Sequence, residues 1–231
     1  KVQVTIDGPA GSGKSTVARL VAQKIRGYYI NTGDMYRAVT LAALNAGLDV
    51  KTHKDEVAGL MENLKLACSV SEGHEPRLVL NGRTLSDEEL RTREITRGVS
   101  YVAALPEVRQ QLVAIQRRTA ELGIVVMEGR DIGTVVFPEA ANKFYLFATP
   151  EERARRRLLE RDEAVDEEAI SKKVAEIRER DSLDSSRETA PLRKPEDALL
   201  IDTSALSAGE VADRIVDWLP ETLKNRGRRR D

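Results

Sequence analysis

Cysteine is all but absent from this 231-residue chain: Cys68 stands alone, so no internal disulfide can form. That usage points to a reducing compartment, the cytoplasm. Long hydrophobic runs are missing too, and no stretch is apolar for long enough to cross a bilayer. A surplus of either charge is also lacking. Lys and Arg number 37 and Asp and Glu 38, a net charge of −1, which gives no bulk attraction to nucleic acid or to a membrane. There are no internal repeats and no low-complexity linkers. KVQVTIDG runs straight into a strand pattern, which predicts the absence of a signal peptide. What is present suits a globular enzyme: 41% hydrophobic residues for a core and 32% charged residues for a surface. The length fits one α/β domain with small insertions, or at most two domains.

Val2–Asp7 alternates and is β-branched, as a strand does. A glycine-rich loop follows at Gly8–Gly13. Lys14–Arg26 carries apolar residues at helical spacing, Val17, Leu20, Val21 and Ile25. Helices are expected over 33–46, 53–66, 86–104, 106–121 and 208–219. Leu64–Arg83 changes character: two short apolar runs, Leu66–Val70 and Leu78–Leu80, stand beside the turn sequences EGHEP and NGR, a small inserted β-ribbon. The continuous apolar runs 124–127, 143–147 and 198–201 read as buried parallel strands. Pro150–Asp184 is a dense charged helical stretch, and the tail 224–231 is basic and solvated. Strands alternating with helices predict a parallel sheet covered on both faces.

GPAGSGKS at Gly8–Ser15 fits the phosphate-loop pattern G-x-x-x-x-G-K-[ST]. Its glycines allow backbone N–H groups to turn inward onto phosphate oxygens, next to the positive end of a helix. The loop therefore predicts binding of a nucleoside triphosphate, ATP, by Gly8, Pro9, Ala10, Gly11, Ser12, Gly13, Lys14, Ser15 and Thr16. Lys14 reaches the β- and γ-phosphates, and the Ser15 hydroxyl joins the Mg²⁺ sphere. A phosphate loop does not name the acceptor, since GTPases, motor ATPases and small-molecule kinases share it. An N-K-x-D base-reading signal is absent, as is the acidic pair of ATP-hydrolysing motors.

A second site is suggested by charged and small polar residues placed where packing does not call for them. TGDMYR, Thr32–Arg37, opens a helix. EGRDIGT, 128–134, follows a buried strand at its carboxyl end, where ligands collect in α/β sheets. RERDSLDSSR closes the charged stretch with Arg180, Asp184 and Arg187.

Together, GPAGSGKST, TGDMYR, SYVAALPEVR, GRDIGTVVFPEA, PEERARRR, ERDSLDSSR and APL resemble the bacterial cytidylate kinases along almost the whole chain. The resemblance implies a three-layer P-loop fold with a central parallel five-stranded sheet. A core of residues 1–31, 105–149 and 190–225 would carry an NMP-binding insert at about 32–104 and a short lid at about 150–187. It implies transfer of the ATP γ-phosphate to CMP or dCMP. Arg37, Arg130 and Arg187, with Thr32 nearby, would bind the CMP phosphate. Ser100, Arg109 and Asp131 would read the cytosine edge, and Arg180 and Asp184 would contact the sugar. Arg153 and Arg157 would be lid residues, one against adenine and one toward the phosphates. Lys14, Arg130 and Arg180 would carry the catalytic charge. A monomer is the family expectation.

Alternatives stand beside these. Arg37 reads equally well as a solvated helix arginine and Ser100 as a plain helix serine, and Arg155 and Arg156 read as a salt-bridged surface. Asp34 suits capping of its helix. Glu128 suits either an outer carboxylate beside Mg²⁺ or an acceptor for backbone N–H groups. Cys68 reads as a small buried hydrophobe, and His53 and His74 receive no role. A related kinase acting on another monophosphate or a small metabolite, and a nucleotide-dependent regulator, remain the competing functions.

Overall fold

The computed structural model describes residues 1–70 and 76–224. Strand β1 (Val2–Asp7) leads through the glycine loop into α1 (Lys14–Ile25). Then come β2 (Tyr28–Asn31), α2 (Thr32–Asn45) and α3 (Lys54–Leu60). Strands β3 (Leu66–Val70), β4 (Pro76–Leu80) and β5 (Arg83–Thr84) form a separate antiparallel sheet. Helices α4 (Asp87–Leu90), α5 (Arg93–Val102) and α6 (Pro106–Arg118) return the chain to β6 (Ile124–Gly129). After one wide turn, Ile132–Val136, come β7 (Asn142–Phe147), α7 (Pro150–Leu159) and α8 (Glu167–Ser186). Strand β8 (Leu199–Asp202), α9 (Ala208–Trp218) and α10 (Glu221–Lys224) complete it.

The main sheet is parallel, in the order β2-β6-β1-β7-β8. Parallel neighbours need a crossover, and the helices supply it on both faces. On one face Val17, Val21 and Ile25 of α1 and Val211 and Ile215 of α9 pack on Val4, Ile6, Phe144 and Leu146. On the other, Met35 and Val39 of α2, Val99 of α5 and Leu112 of α6 pack around Met127. The expected α/β fold with a five-stranded parallel sheet is the one found. Every residue of β6 is buried, which accounts for its apolar spelling. Loops at the carboxyl ends of β1, β2 and β6 therefore emerge side by side.

Several expectations are corrected. The helix expected over 86–104 is two helices. Ser86 and Glu89 form a capping box that starts α4, and Thr92 accepts from the Ile95 N–H to start α5. The charged stretch 150–184 is a hairpin: α7 ends before Asp162, which has a left-handed φ of 54°, and the Asp166 side chain caps α8. The helix expected to reach residue 66 stops at Leu60, because Leu66 enters β3. Strand β2 was not expected. The NGR turn is a two-residue hairpin loop, Asn81 and Gly82, both with positive φ. The EGHEP turn, with His74, lies outside the described residues except for Pro76. The tail from 225 lies outside them as well.

Candidate active site

The glycine loop is built for close approach. Gly8 has φ 148°, and a Cβ there would collide with the Leu146 carbonyl on β7. Helical bonding in α1 begins with Val17 N–H donating to the Gly13 carbonyl at 3.0 Å. The N–H groups ahead of it are those a helix leaves without an internal acceptor. The Lys14 ammonium donates to the Pro9 carbonyl at 2.7 Å and contacts Ser12 Oγ at 3.5 Å. Burial pushes its pKa well below the ordinary lysine value, with Arg130 adding to the effect and Glu128 opposing it.

A cavity of about 310 Å³ lies over this loop. Ala10, Gly11, Gly13, Lys14, Ser15 and Thr16 line one end. Thr32, Arg37, Ser100, Arg109, Arg130, Asp131, Arg157, Arg180, Asp184 and Arg187 line the remainder. Gly8, Pro9 and Ser12 stand behind the wall, with Ser12 wholly buried and donating to the Pro9 carbonyl. A larger cleft, about 940 Å³, lies between α1, β2 and the small sheet and holds no residue of the glycine loop.

Eight basic side chains line the smaller cavity against four acidic ones, in a chain whose total charge is −1. That local excess of positive charge fits polyanionic ligands. Arg130 Nε donates to Asp184 Oδ2 at 3.0 Å. Burial works against the Arg130 charge, but Asp184 more than compensates and raises its pKa. Burial likewise opposes the charge on Asp184, and Arg130, Arg180 and Arg187 win and hold its carboxyl below the usual range. Arg180 is pushed down to about 9 by burial, then by Arg130, and its Nε has no protein partner. Arg187 donates from Nε to the Ala190 carbonyl at 2.8 Å and leaves one terminal nitrogen unpartnered. Buried donors without acceptors are costly, and both of these residues line the cavity. Arg37, lowered to about 10 by burial, spends its Nη1 on Leu90 O and Thr96 Oγ1. Arg109 pairs with Asp131 inside the protein, donates to the Ala103 carbonyl, and lies over the Tyr36 ring. The Thr32 hydroxyl donates to the Glu128 carbonyl at 2.8 Å.

Four readings change. Arg153 does not face the cavity. It is buried, donates to the Ala10 carbonyl at 3.0 Å, and forks onto Asp181 of α8. Arg156 keeps its salt bridge, with Glu152 at 2.9 Å, but is half-buried and does more: it donates to Thr203 Oγ1 at 3.1 Å and Thr203 O at 2.5 Å, and stands beside Gly13. Thr203 in turn donates to the Ser12 carbonyl, so this arginine braces the loop. Asp34 makes no capping bond; Arg91 grips it with two bonds of 2.7 and 3.2 Å. Glu128 accepts from the Tyr29 hydroxyl at 3.1 Å, and among the described residues no backbone N–H bond to its carboxylate is seen. Arg91, Tyr36, Asp7 and Arg156 are site residues that sequence reasoning missed. Asp7 alone gave a signal, a carboxylate ending an apolar strand.

Among the described residues no cluster of three or more His, Cys, Asp or Glu could hold a metal, and none of their helices is long and apolar enough to cross a membrane. The family model described as Cytidylate kinase matches residues 4–221. A cytidylate kinase of Desulforamulus reducens is 45% identical over 216 residues, 94% of this chain and 96% of that one. One from Bacillus thuringiensis is 44% identical over 217 residues, 94% and 95% of the two chains.

Proposed function

The chain belongs to the cytidylate kinase family, and from that premise we propose that it moves the γ-phosphate of ATP to CMP and dCMP, yielding CDP and dCDP. The observation that carries the reading is the shared cavity: Lys14 and the glycine loop at one end, unpartnered Arg180 and Arg187 donors at the other.

The acceptor phosphate arrives ionised, so no side chain has to serve as a strong base. The chemistry needs alignment and charge. On this reading the loop N–H groups, Lys14 and Arg157 hold the triphosphate. Lys14 exchanges the Pro9 carbonyl for phosphate oxygens, and the polyanion restores the charge that burial suppresses. When Mg²⁺ is bound with ATP it would neutralise phosphate charge, and the Ser15 hydroxyl is the protein oxygen that would hold it. A site that takes the ion through substrate phosphates and waters needs no acidic cluster, which agrees with the donor set present. Arg37, Arg130 and Arg187, with Thr32, hold the acceptor phosphate as guanidinium forks suited to it. Arg180 and Asp184 hold the sugar, and Arg180 reaches the transferring group. Asp131 and Arg109, with Ser100, meet the cytosine edge, whose amine donor and ring acceptors call for a carboxylate and an arginine.

Residues 1–31, 105–149 and 190–225 form the core on this reading, about 32–104 the acceptor insert and about 150–187 a lid that excludes water over ATP. The lone Cys68 supports a cytoplasmic setting. An ADP-release assay over a panel of monophosphates tests the acceptor. CMP and dCMP are expected to turn over well above UMP and AMP, and a preference for either of the latter overturns the reading. Asp131→Ala is expected to raise the KM for CMP at least about tenfold and to leave that for ATP nearly unchanged. Equal loss on both substrates overturns base recognition at Asp131.

A further inference from the structure

Asp7 closes β1 one residue ahead of the glycine loop and is completely buried. A carboxylate there is costly unless its oxygens find partners. Both do. Oδ1 accepts from the Ile132 N–H at 2.8 Å and Oδ2 from the Gly133 N–H at 2.7 Å. These two residues open the wide turn Ile132–Val136, in which Val135 and Val136 N–H groups reach back to the Asp131 carbonyl. A helical start leaves its leading N–H groups without acceptors of its own. The residue at the cap position is normally the one to serve them, and aspartate is among the best types for it. Asp131 occupies that position, yet its side chain makes no capping bond. It is turned instead to Arg109.

We infer that Asp7 is a positioning residue for acceptor recognition: by capping the turn in place of Asp131, it leaves the Asp131 carboxylate free to face Arg109 and the acceptor base. The inference rests on the reading that Asp131 and Arg109 meet the cytosine edge. It adds that the strand leading into the donor loop sets the specificity of the acceptor loop. The arrangement also explains the glycine at 133. A Cβ there would stand 3.0 Å from Pro195 and 3.1 Å from Thr5 Oγ1, a tight fit against side chains packed on the turn.

Asp7→Asn tests this with almost no change of volume. One acceptor becomes an amide donor set against an N–H, and Asp131 is then drawn back to cap its own turn. Selectivity for CMP over UMP, as a ratio of kcat/KM, is expected to fall at least about tenfold, with the KM for ATP changing less than about twofold. The Ile132 and Gly133 amide proton resonances are expected to move together in the variant. In a double-mutant cycle, Asp7→Asn added to Asp131→Asn is expected to cost nothing further, because one acts through the other. Gly133→Ala crowds the same turn from the other side. It is expected to give the same selective loss and serves if Asp7→Asn does not fold. Unchanged selectivity in these variants, a matching loss for ATP, or additivity in the cycle overturns the inference. If Asp131→Asn itself leaves selectivity intact, the base-recognition reading fails and the inference falls with it. Intact base recognition combined with a silent Asp7→Asn sinks the inference alone.

Discussion

Lys14 spends its ammonium on the carbonyl of Pro9, within its own loop, and keeps 4% of its surface exposed. Its role in the proposed reaction comes from charge delivered to phosphate, and its contribution to the core is small. Lys14→Ala is therefore expected to lower kcat by at least about a hundredfold while circular dichroism and the unfolding midpoint stay close to wild type. Near-normal turnover would sink the assignment. Asp7 gives a second prediction at this scale. Burial pushes its carboxyl up to about 7 despite the two N–H bonds, Asp131 pushes the same way, and Lys14 opposes; Tyr145 on β7 is the neighbouring group across the sheet. A folded-state value raised above the ordinary 3.8 means that the folded protein keeps this proton after the unfolded chain has lost it. The stabilisation is full below about pH 4 and is lost as pH rises through about 7, on the order of 4 kcal/mol at most. Urea unfolding between pH 5 and 8 is expected to show that decline, flattened in Asp7→Asn. An identical slope in the variant would place the titration elsewhere. Capping needs the ionised form, so the stabilisation and the capping run in opposite directions with pH.

Between elements, the Arg153 guanidinium ties both α7 and α8 to the glycine loop. Arg153 reaches the Ala10 carbonyl with one nitrogen and Asp181 with two. Removing it strands a partly buried carboxylate and leaves a carbonyl unpaired. Arg153→Ala is expected to destabilise by about 3 kcal/mol, near the lower end for a broken buried pair because Asp181 keeps contact with water. Denaturant unfolding measures it; a loss under about 1 kcal/mol would show that the hairpin is held mainly by its apolar seam of Ala154, Val174 and Ile177. This is also the scale at which sequence reading went astray. Capping residues Ser86 and Thr92 mark where 86–104 divides, yet the surrounding periodicity runs through both and hides the break. Strand β2 spells only YYIN, too short to show a period. The hairpin turn at Asn81 and Gly82 was legible, because its positive φ values demand those residue types.

Over the whole molecule, the parallel sheet brings the ends of β1, β2 and β6 together and so joins the glycine loop and the segments after β2 and β6 in one cavity. Ligands bound there hold the folded state. CMP at about a hundred times its Kd is expected to add about 2.7 kcal/mol, roughly 5–10 °C in the unfolding midpoint, and UMP at the same concentration distinctly less. No shift with CMP would overturn the acceptor site. By itself the sequence determined what is local. The apolar runs gave the core strands their place, the glycine loop its φ values, Arg130 and Asp131 their place after a buried strand, and Arg180 and Arg187 theirs in the charged stretch. The tertiary structure decided who partners whom. Asp7 and the Ile132 N–H are 125 residues apart, Asp34 and Arg91 57, Arg156 and Thr203 47. Their pairing rests on strand order and helix docking, which no single window of sequence contains. That is why the glycine loop could be read directly, and why the pairing of Asp7 with the loop opposite it could not.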